Sequence, residues 1–156
     1  MPRPALFLDV DGVLNPYGTL KCPDGFTEYD LFPGEEPVRL CSAHGKWISE
    51  LRYVFDVAWA TAWNDNANRL LAPLLQIAAL PVVTMPPPPF RARDKVPPVA
   101  RFAGQRPAVW IDDLHPAEAW AWSTGRREPT LLIPVASATG LTREAVDQAL
   151  TWVRQT

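Results

Sequence analysis

The chain has 156 residues, 47% of them hydrophobic and 21% charged, which is enough apolar material for one globular domain with its own core. A formal net charge of -2 excludes a general attraction to nucleic acid or to anionic membrane, so an anionic partner must be held by a local cluster of bases. Two cysteines, Cys22 and Cys41, fit neither a zinc spacing nor a dense disulfide framework, and eighteen prolines fall between the expected elements as loop punctuation. Residues 1–4 lead into the first apolar run with no signal-peptide core, and no later run is long enough to cross a bilayer; the expected location is the cytoplasm.

In chain order, Ala5-Leu6-Phe7-Leu8 is a continuous apolar run, the pattern of a strand buried on both faces of a parallel sheet. It ends in Asp9-Val10-Asp11-Gly12, which puts two carboxylates where open α/β sheets hold their ligands. Two such carboxylates repel each other, and a bound cation is the simplest remedy. A surface turn or a fragment of a calcium loop is the alternative. An EF-hand, however, needs further alternating ligands and a closing Glu, where this chain has Val13 and Leu14.

Residues 15–32 contain two strand-like runs, 19–22 and 26–29, around the turn Pro23-Asp24-Gly25. They predict a small hairpin that hangs over the site as a flap, with Tyr17, Phe26 and Tyr29 either stacking on a substrate or fastening the flap to the body. Residues 32–37 break the pattern. Ser42 is then placed to cap a helix carrying Trp47, Ile48 and Leu51, with His44 in its first turn as a solvent-facing or capping residue. Residues 54–60 predict a second strand that runs into Thr61, with Trp63 and Asn64 at the rim. Asn64 or Asp65 caps the next helix, whose apolar face is Ala67, Leu70, Leu71, Leu74 and Leu75.

Residues 80–84 predict a third strand, which empties into Met85 and four prolines, a stiff extended rim. The rim leads to Phe90-Arg91-Ala92-Arg93-Asp94-Lys95. Five bases, Arg91, Arg93, Lys95, Arg101 and Arg106, stand here against one acid, Asp94, as a local positive field or as a solvated helix face. Residues 107–111 predict a fourth strand ending in Asp112-Asp113, followed by His115 as a rim or capping residue. A helical stretch with Trp120 and Trp122, a fifth strand over 130–133 and a last helix capped by Thr142 complete the chain.

This alternation implies a single three-layer α/β domain over residues 1–156, with a central parallel sheet of about five strands. The flap covers about 15–32, and no interval is long enough for a full cap domain.

The succession of D-x-D after a strand, Thr61 at a strand end, Lys95, and W-I-D-D-L-H resembles the four motifs of the haloacid dehalogenase-like (HAD) superfamily over essentially the whole chain. The resemblance implies a Rossmann-like core and a Mg²⁺-dependent phosphatase that works through an aspartyl-phosphate. By that resemblance Asp9 is the nucleophile and Asp11 the proton donor and acceptor. Thr61 and Lys95, together with Ala62, Trp63, Asn64, Arg91 and Arg93, bind the substrate's phosphoryl group. Mg²⁺ is held by Asp9, the Asp11 backbone carbonyl, Asp112 and Asp113. Lys95 is the preferred third-motif residue, because a compact ammonium suits a point contact, although Arg91, Arg93 and Arg101 could each serve.

The chain is also similar to small capless domains of this superfamily attached to bacterial RNA-repair proteins. That similarity suggests a nucleotide or nucleic-acid end, or another phosphorylated small molecule, as substrate, with no membrane and no obligate protein partner. Two rival readings are a catalytically silent binding module, whose signature would be a lost nucleophile or acid, and a phosphotransferase or mutase whose acceptor is not water. Asp9 and Asp11 are both present.

Overall fold

A computed structural model of the protein describes residues 2–156. The first strand, β1 (Ala5–Leu8), is followed by the antiparallel pair β2 (Phe26–Tyr29) and β3 (Val38–Cys41), then helix α1 (Ser42–Arg52) and strand β4 (Asp56–Trp59). A π-helical turn (Ala67–Leu71) leads into the short helix α2 (Ala72–Leu75). A 3₁₀ turn (Ala92–Lys95), α3 (Val96–Ala103), β5 (Ala108–Asp112), α4 (Ala117–Gly125), β6 (Thr130–Pro134) and α5 (Arg143–Gln155) complete the domain.

The central sheet has the order β4-β1-β5-β6, parallel throughout. Its strands are apolar on both faces because both are covered. Leu6, Leu8, Val57, Trp59, Val109 and Ile111 point into one core with α1, α2 and α5. Phe7, Ala58, Ala108, Trp110 and Leu132 point into the other with α3 and α4. From β1 the chain passes to β4 on one side and then to β5 on the other. The carboxyl end of β1 is therefore the crevice where the strand order reverses, the usual ligand position in such sheets.

The architecture is the expected three-layer α/β domain, with four strands in the sheet. The expected strand over residues 80–84 is reduced to one bridge, Val82 beside Trp59. Trp59 N–H donates to the Pro81 carbonyl at 2.9 Å and Val83 N–H to the Trp59 carbonyl at 2.8 Å, but Pro81 has no N–H and the prolines after Met85 end any ladder.

The flap differs from its expected pairing. Phe26–Tyr29 pairs with Val38–Cys41 and not with residues 19–22. The 32–37 segment is the connection of this hairpin, so the flap extends past residue 32 to Cys41.

Three local expectations also change. Ser42 opens α1 without a side-chain cap bond, and neither Asn64 nor Asp65 caps the next helix: Asn66 precedes its π-helical turn, without a side-chain cap bond, while Asn64 accepts from Met85 N–H and Asp65 from Asn68 Nδ2. Pro73 cannot donate to the preceding turn, consistent with a helix that is π-wound before it and only four residues long after it. His44 is buried, against the solvent-facing expectation, and packs edge-on to Phe26 and beside Trp47. Thr142 does cap α5, accepting from Ala145 N–H at 3.2 Å. Among the described residues, no helix is long and apolar enough to cross a membrane.

Candidate active site

Three carboxylates meet beyond the strand ends. Asp9 follows β1, Asp112 is the last residue of β5, and Asp113 comes next. Each offers an oxygen within 4.8 Å of the others. Asp9 and Asp112 are buried. Asp9 Oδ1 accepts from Val10 N–H at 2.7 Å, while Asp112 Oδ1 accepts from Leu114 N–H at 3.1 Å. These backbone donors fix the direction of each carboxylate.

Lys95 arrives from the far side of the site. Its 3₁₀ turn is closed by Arg91 N–H donating to Asp94 Oδ2 at 2.8 Å. Lys95 Nζ stands 3.1 Å from Asp9 Oδ2 and 2.9 Å from Asp112 Oδ2, and donates to the Ala60 carbonyl at 3.3 Å. The ammonium is thus hydrogen-bonded to Asp112 and Ala60 and ion-paired with Asp9. Arg91 and Arg93 are exposed on the same segment, outside the carboxylate cluster.

Burial pushes the Asp9 carboxyl up to about 7, and the neighbouring Asp112 charge adds to this while Lys95 and the Val10 N–H oppose it. Asp112 is raised too, again chiefly by burial. Burial works against the Lys95 charge, yet Asp9 and Asp112 outweigh it and hold the ammonium above its ordinary value. Burial thus disfavours three ionised carboxylates beside a single ammonium, a cation would relieve the two excess negative charges of the fully ionised cluster, and the donors are hard oxygens. That set fits a divalent cation such as Mg²⁺.

Asp113 is positioned from two directions. Tyr17 O–H donates to Asp113 Oδ2 at 2.7 Å, and this bond raises the Tyr17 phenol above its usual range and keeps it a donor. Gly12, at φ +79°, passes so close that an added Cβ would lie 2.4 Å from the same oxygen. Only glycine fits both the dihedral and the space.

Asp11 is exposed and is not one of the three clustered carboxylates. Its Oδ1 accepts from Asn15 Nδ2 at 3.0 Å and its Oδ2 from the Trp63 indole Nε1 at 3.1 Å. Thr61 is buried just beyond β4, its hydroxyl accepting from Trp63 N–H at 3.3 Å. Ala62 is exposed. Asn64 takes φ 50° and accepts from Met85 N–H at 2.8 Å, which anchors the start of the proline rim.

Sequence reasoning did not reach Asn15 and Arg39. Asn15 Oδ1 accepts from Arg39 N–H at 2.8 Å, and the Arg39 guanidinium donates to Glu28 Oε2, to the Thr19 hydroxyl and carbonyl, and to the Leu20 carbonyl. The one available signal was the position of Asn15 four residues after Asp11. His115 Nε2 donates to the Trp110 carbonyl at 3.0 Å, and the ring packs edge-on to Trp110 and Trp120. Burial lowers its pKa to about 4, so it is a neutral packing residue here rather than a rim group.

This order of acids, hydroxyl and lysine on a parallel sheet coincides with a family match. The family described as the HAD domain in Swiss Army Knife RNA repair proteins matches residues 5–146. The chain belongs to that family. The matched span of this HAD domain runs from the first residue of β1 into α5 and includes every residue of the cluster just described. Among curated proteins, no sequence matches this HAD domain.

Proposed function

We propose that this HAD domain is a Mg²⁺-dependent phosphomonoesterase whose substrate is a phosphorylated nucleic-acid end or a nucleotide. The observation that carries the reading is the buried Asp9 carboxylate at the switch point, held between Val10 N–H and Lys95 and clustered with Asp112 and Asp113. Asp11 is retained beside it, which a silent binding module would not require. Membership in a family named for RNA repair, together with exposed Arg91 and Arg93 next to Lys95, supports a polyanionic substrate.

In the first half-reaction an Asp9 carboxylate oxygen bonds to phosphorus as the bond to the leaving oxygen breaks, and Asp11 gives that oxygen its proton. In the second, a water oxygen attacks the phosphorus, its proton passes to Asp11, and the bond from Asp9 to phosphorus breaks to restore the carboxylate. The Thr61 hydroxyl and the Lys95 ammonium stabilise charge on the non-bridging oxygens, the main work in phosphoryl transfer. Asp9, Asp112 and Asp113 would hold Mg²⁺, which when bound would supply further charge neutralisation for phosphoryl transfer.

Phosphate release from small phosphomonoesters, nucleotides and oligonucleotides phosphorylated at the 3′ or 5′ end tests the proposal. Release should need both Mg²⁺ and Asp9, and be lost in Asp9→Asn and in EDTA. Transfer of phosphate to an added alcohol without accumulation of free phosphate would replace hydrolysis by phosphotransfer. No turnover of any substrate by folded protein with Mg²⁺ would overturn the reading.

A further inference from the structure

We infer that Asn15 and Trp63 are positioning residues that hold the Asp11 carboxylate from opposite sides and tie it to the flap; the inference rests on the role of Asp11 as the proton carrier. Asp11 is exposed, and an exposed aspartate ordinarily samples several rotamers. Here each of its two oxygens receives one N–H donor, Asn15 Nδ2 on Oδ1 and Trp63 Nε1 on Oδ2. Two donors on two oxygens fix both the direction of the carboxylate and its tilt. Such placement is what general acid catalysis depends on, since an ångström of displacement can cost about a hundredfold in rate.

Both donors are themselves held. The Asn15 side-chain oxygen accepts from Arg39 N–H, so its amide group can only face Asp11 with the NH₂. The Asn15 backbone closes the loop that carries Asp11: its carbonyl accepts from Gly12 N–H at 2.9 Å and its N–H donates to the Val10 carbonyl at 3.0 Å. Trp63 is anchored at its backbone by the Thr61 hydroxyl, and its ring packs on Phe32 with centroids 5.4 Å apart.

Arg39 lies in β3 and Phe32 in the connection from β2 to β3, so each of the two donors to Asp11 takes one of its contacts from the hairpin. The Arg39 side chain carries the linkage outward to Glu28, Thr19 and Leu20. The arrangement of the flap thereby sets the position of the group that protonates the leaving oxygen. In this arrangement Trp63 acts through Asp11 and is not itself a phosphate-binding group.

The test has a kinetic arm and an arm that needs no activity. Trp63→Phe keeps the ring against Phe32 and removes the N–H. It should lower kcat about tenfold to a hundredfold, a fraction of a general acid's worth, with KM changed by less than about threefold. In an Asp11→Asn background the same substitution should cost nothing more, measured in single turnover. A Trp63→Phe loss as large in Asp11→Asn as in the parent would overturn the inference.

The second arm uses the indole N–H signals of the seven tryptophans in a ¹⁵N–¹H spectrum, with the Trp63 signal identified by its absence in Trp63→Phe. That signal should move in Asp11→Ala and in Phe32→Ala. A signal unmoved by Asp11→Ala overturns the positioning whatever the activity. If the parent turns over no phosphoester, the phosphatase reading falls, and the spectrum alone decides whether Trp63 and the flap hold Asp11.

Discussion

Gly12 and Lys95 illustrate how tightly single residues constrain the site. At Gly12 an added methyl group meets Asp113 at its Oδ2, Cγ and Cβ, so more than the tip of the side chain must move, and the positive φ adds about 1–2 kcal/mol for any L-residue. Gly12→Ala should therefore lower Tm by roughly 2–8 °C and reduce phosphate release tenfold or more, with a raised Mg²⁺ requirement read by titration. At Lys95 the substitution to Met leaves Asp9 and Asp112 buried with no counter-charge. The unfolding free energy should fall by about 3 kcal/mol in EDTA, measured by urea titration, and Mg²⁺ should return part of it. Turnover should fall by about two orders of magnitude or more even with saturating Mg²⁺.

The acids of this site are legible in the sequence because each follows an apolar run at a strand end. A run such as Val109-Trp110-Ile111 ending in Asp112-Asp113 announces both the strand and its ligand-bearing edge. Lys95 was open to confusion with Arg91 and Arg93, since all three share one basic segment. Only the turn closed by Asp94 decides which of them reaches inward. Asn15 and Arg39 left almost no trace, because a loop amide and a strand backbone N–H twenty-four positions apart carry no periodic signal.

At the scale of elements, strands β1, β4, β5 and β6 follow directly from continuous apolar runs, and the C-terminal helix from its 3.6-residue spacing and Thr142 cap. The flap was harder, since Pro33, Gly34 and Pro37 read as a boundary between elements although they form the connection within one hairpin. The Val82 segment has strand-like composition, but the prolines on both sides leave it a single bridge.

The hairpin has only four residues per strand, and much of its hold on the 19–20 segment comes from one side chain, Arg39, which bonds Glu28, Thr19 and Leu20. Arg39→Ala should raise amide hydrogen exchange in residues 26–29 and 38–41 well above that of β1 and β5, with a stability loss of about 1–2 kcal/mol. Equal protection of the hairpin in the two proteins would show that the Arg39 bonds do not hold the flap.

At the scale of the whole molecule, His44 joins the flap side to the approach of the last helix. Its Nε2 lies 2.9 Å from the Leu141 carbonyl, which can only accept, so Nε2 carries the proton and the neutral ring leaves Nδ1 bare and buried. Burial lowers its pKa from the ordinary 6.5, partly offset by the Leu141 bond. The unfolded chain therefore binds a proton below about pH 6.5 that the folded protein refuses, and this contribution to stability is lost as pH falls from there. His44→Leu removes the penalty. Its stability relative to the parent should improve steadily as pH falls from 7 to 5, measured by urea unfolding; a pH-independent difference would mean that His44 does not titrate on unfolding.

The proposed covalent step at Asp9 joins these scales, because it would need the strand-end carboxylate, its lysine and the fold that holds them at one crevice. The most direct measurement is to quench the parent protein rapidly during a single turnover of a phosphorylated oligonucleotide with Mg²⁺, reduce it with borohydride and sequence the peptides by mass spectrometry. The account predicts homoserine at Asp9, the product of a reduced aspartyl-phosphate, dependent on both Mg²⁺ and substrate. Phosphate release by the parent with no modification at Asp9, or with modification at another carboxylate, would contradict it.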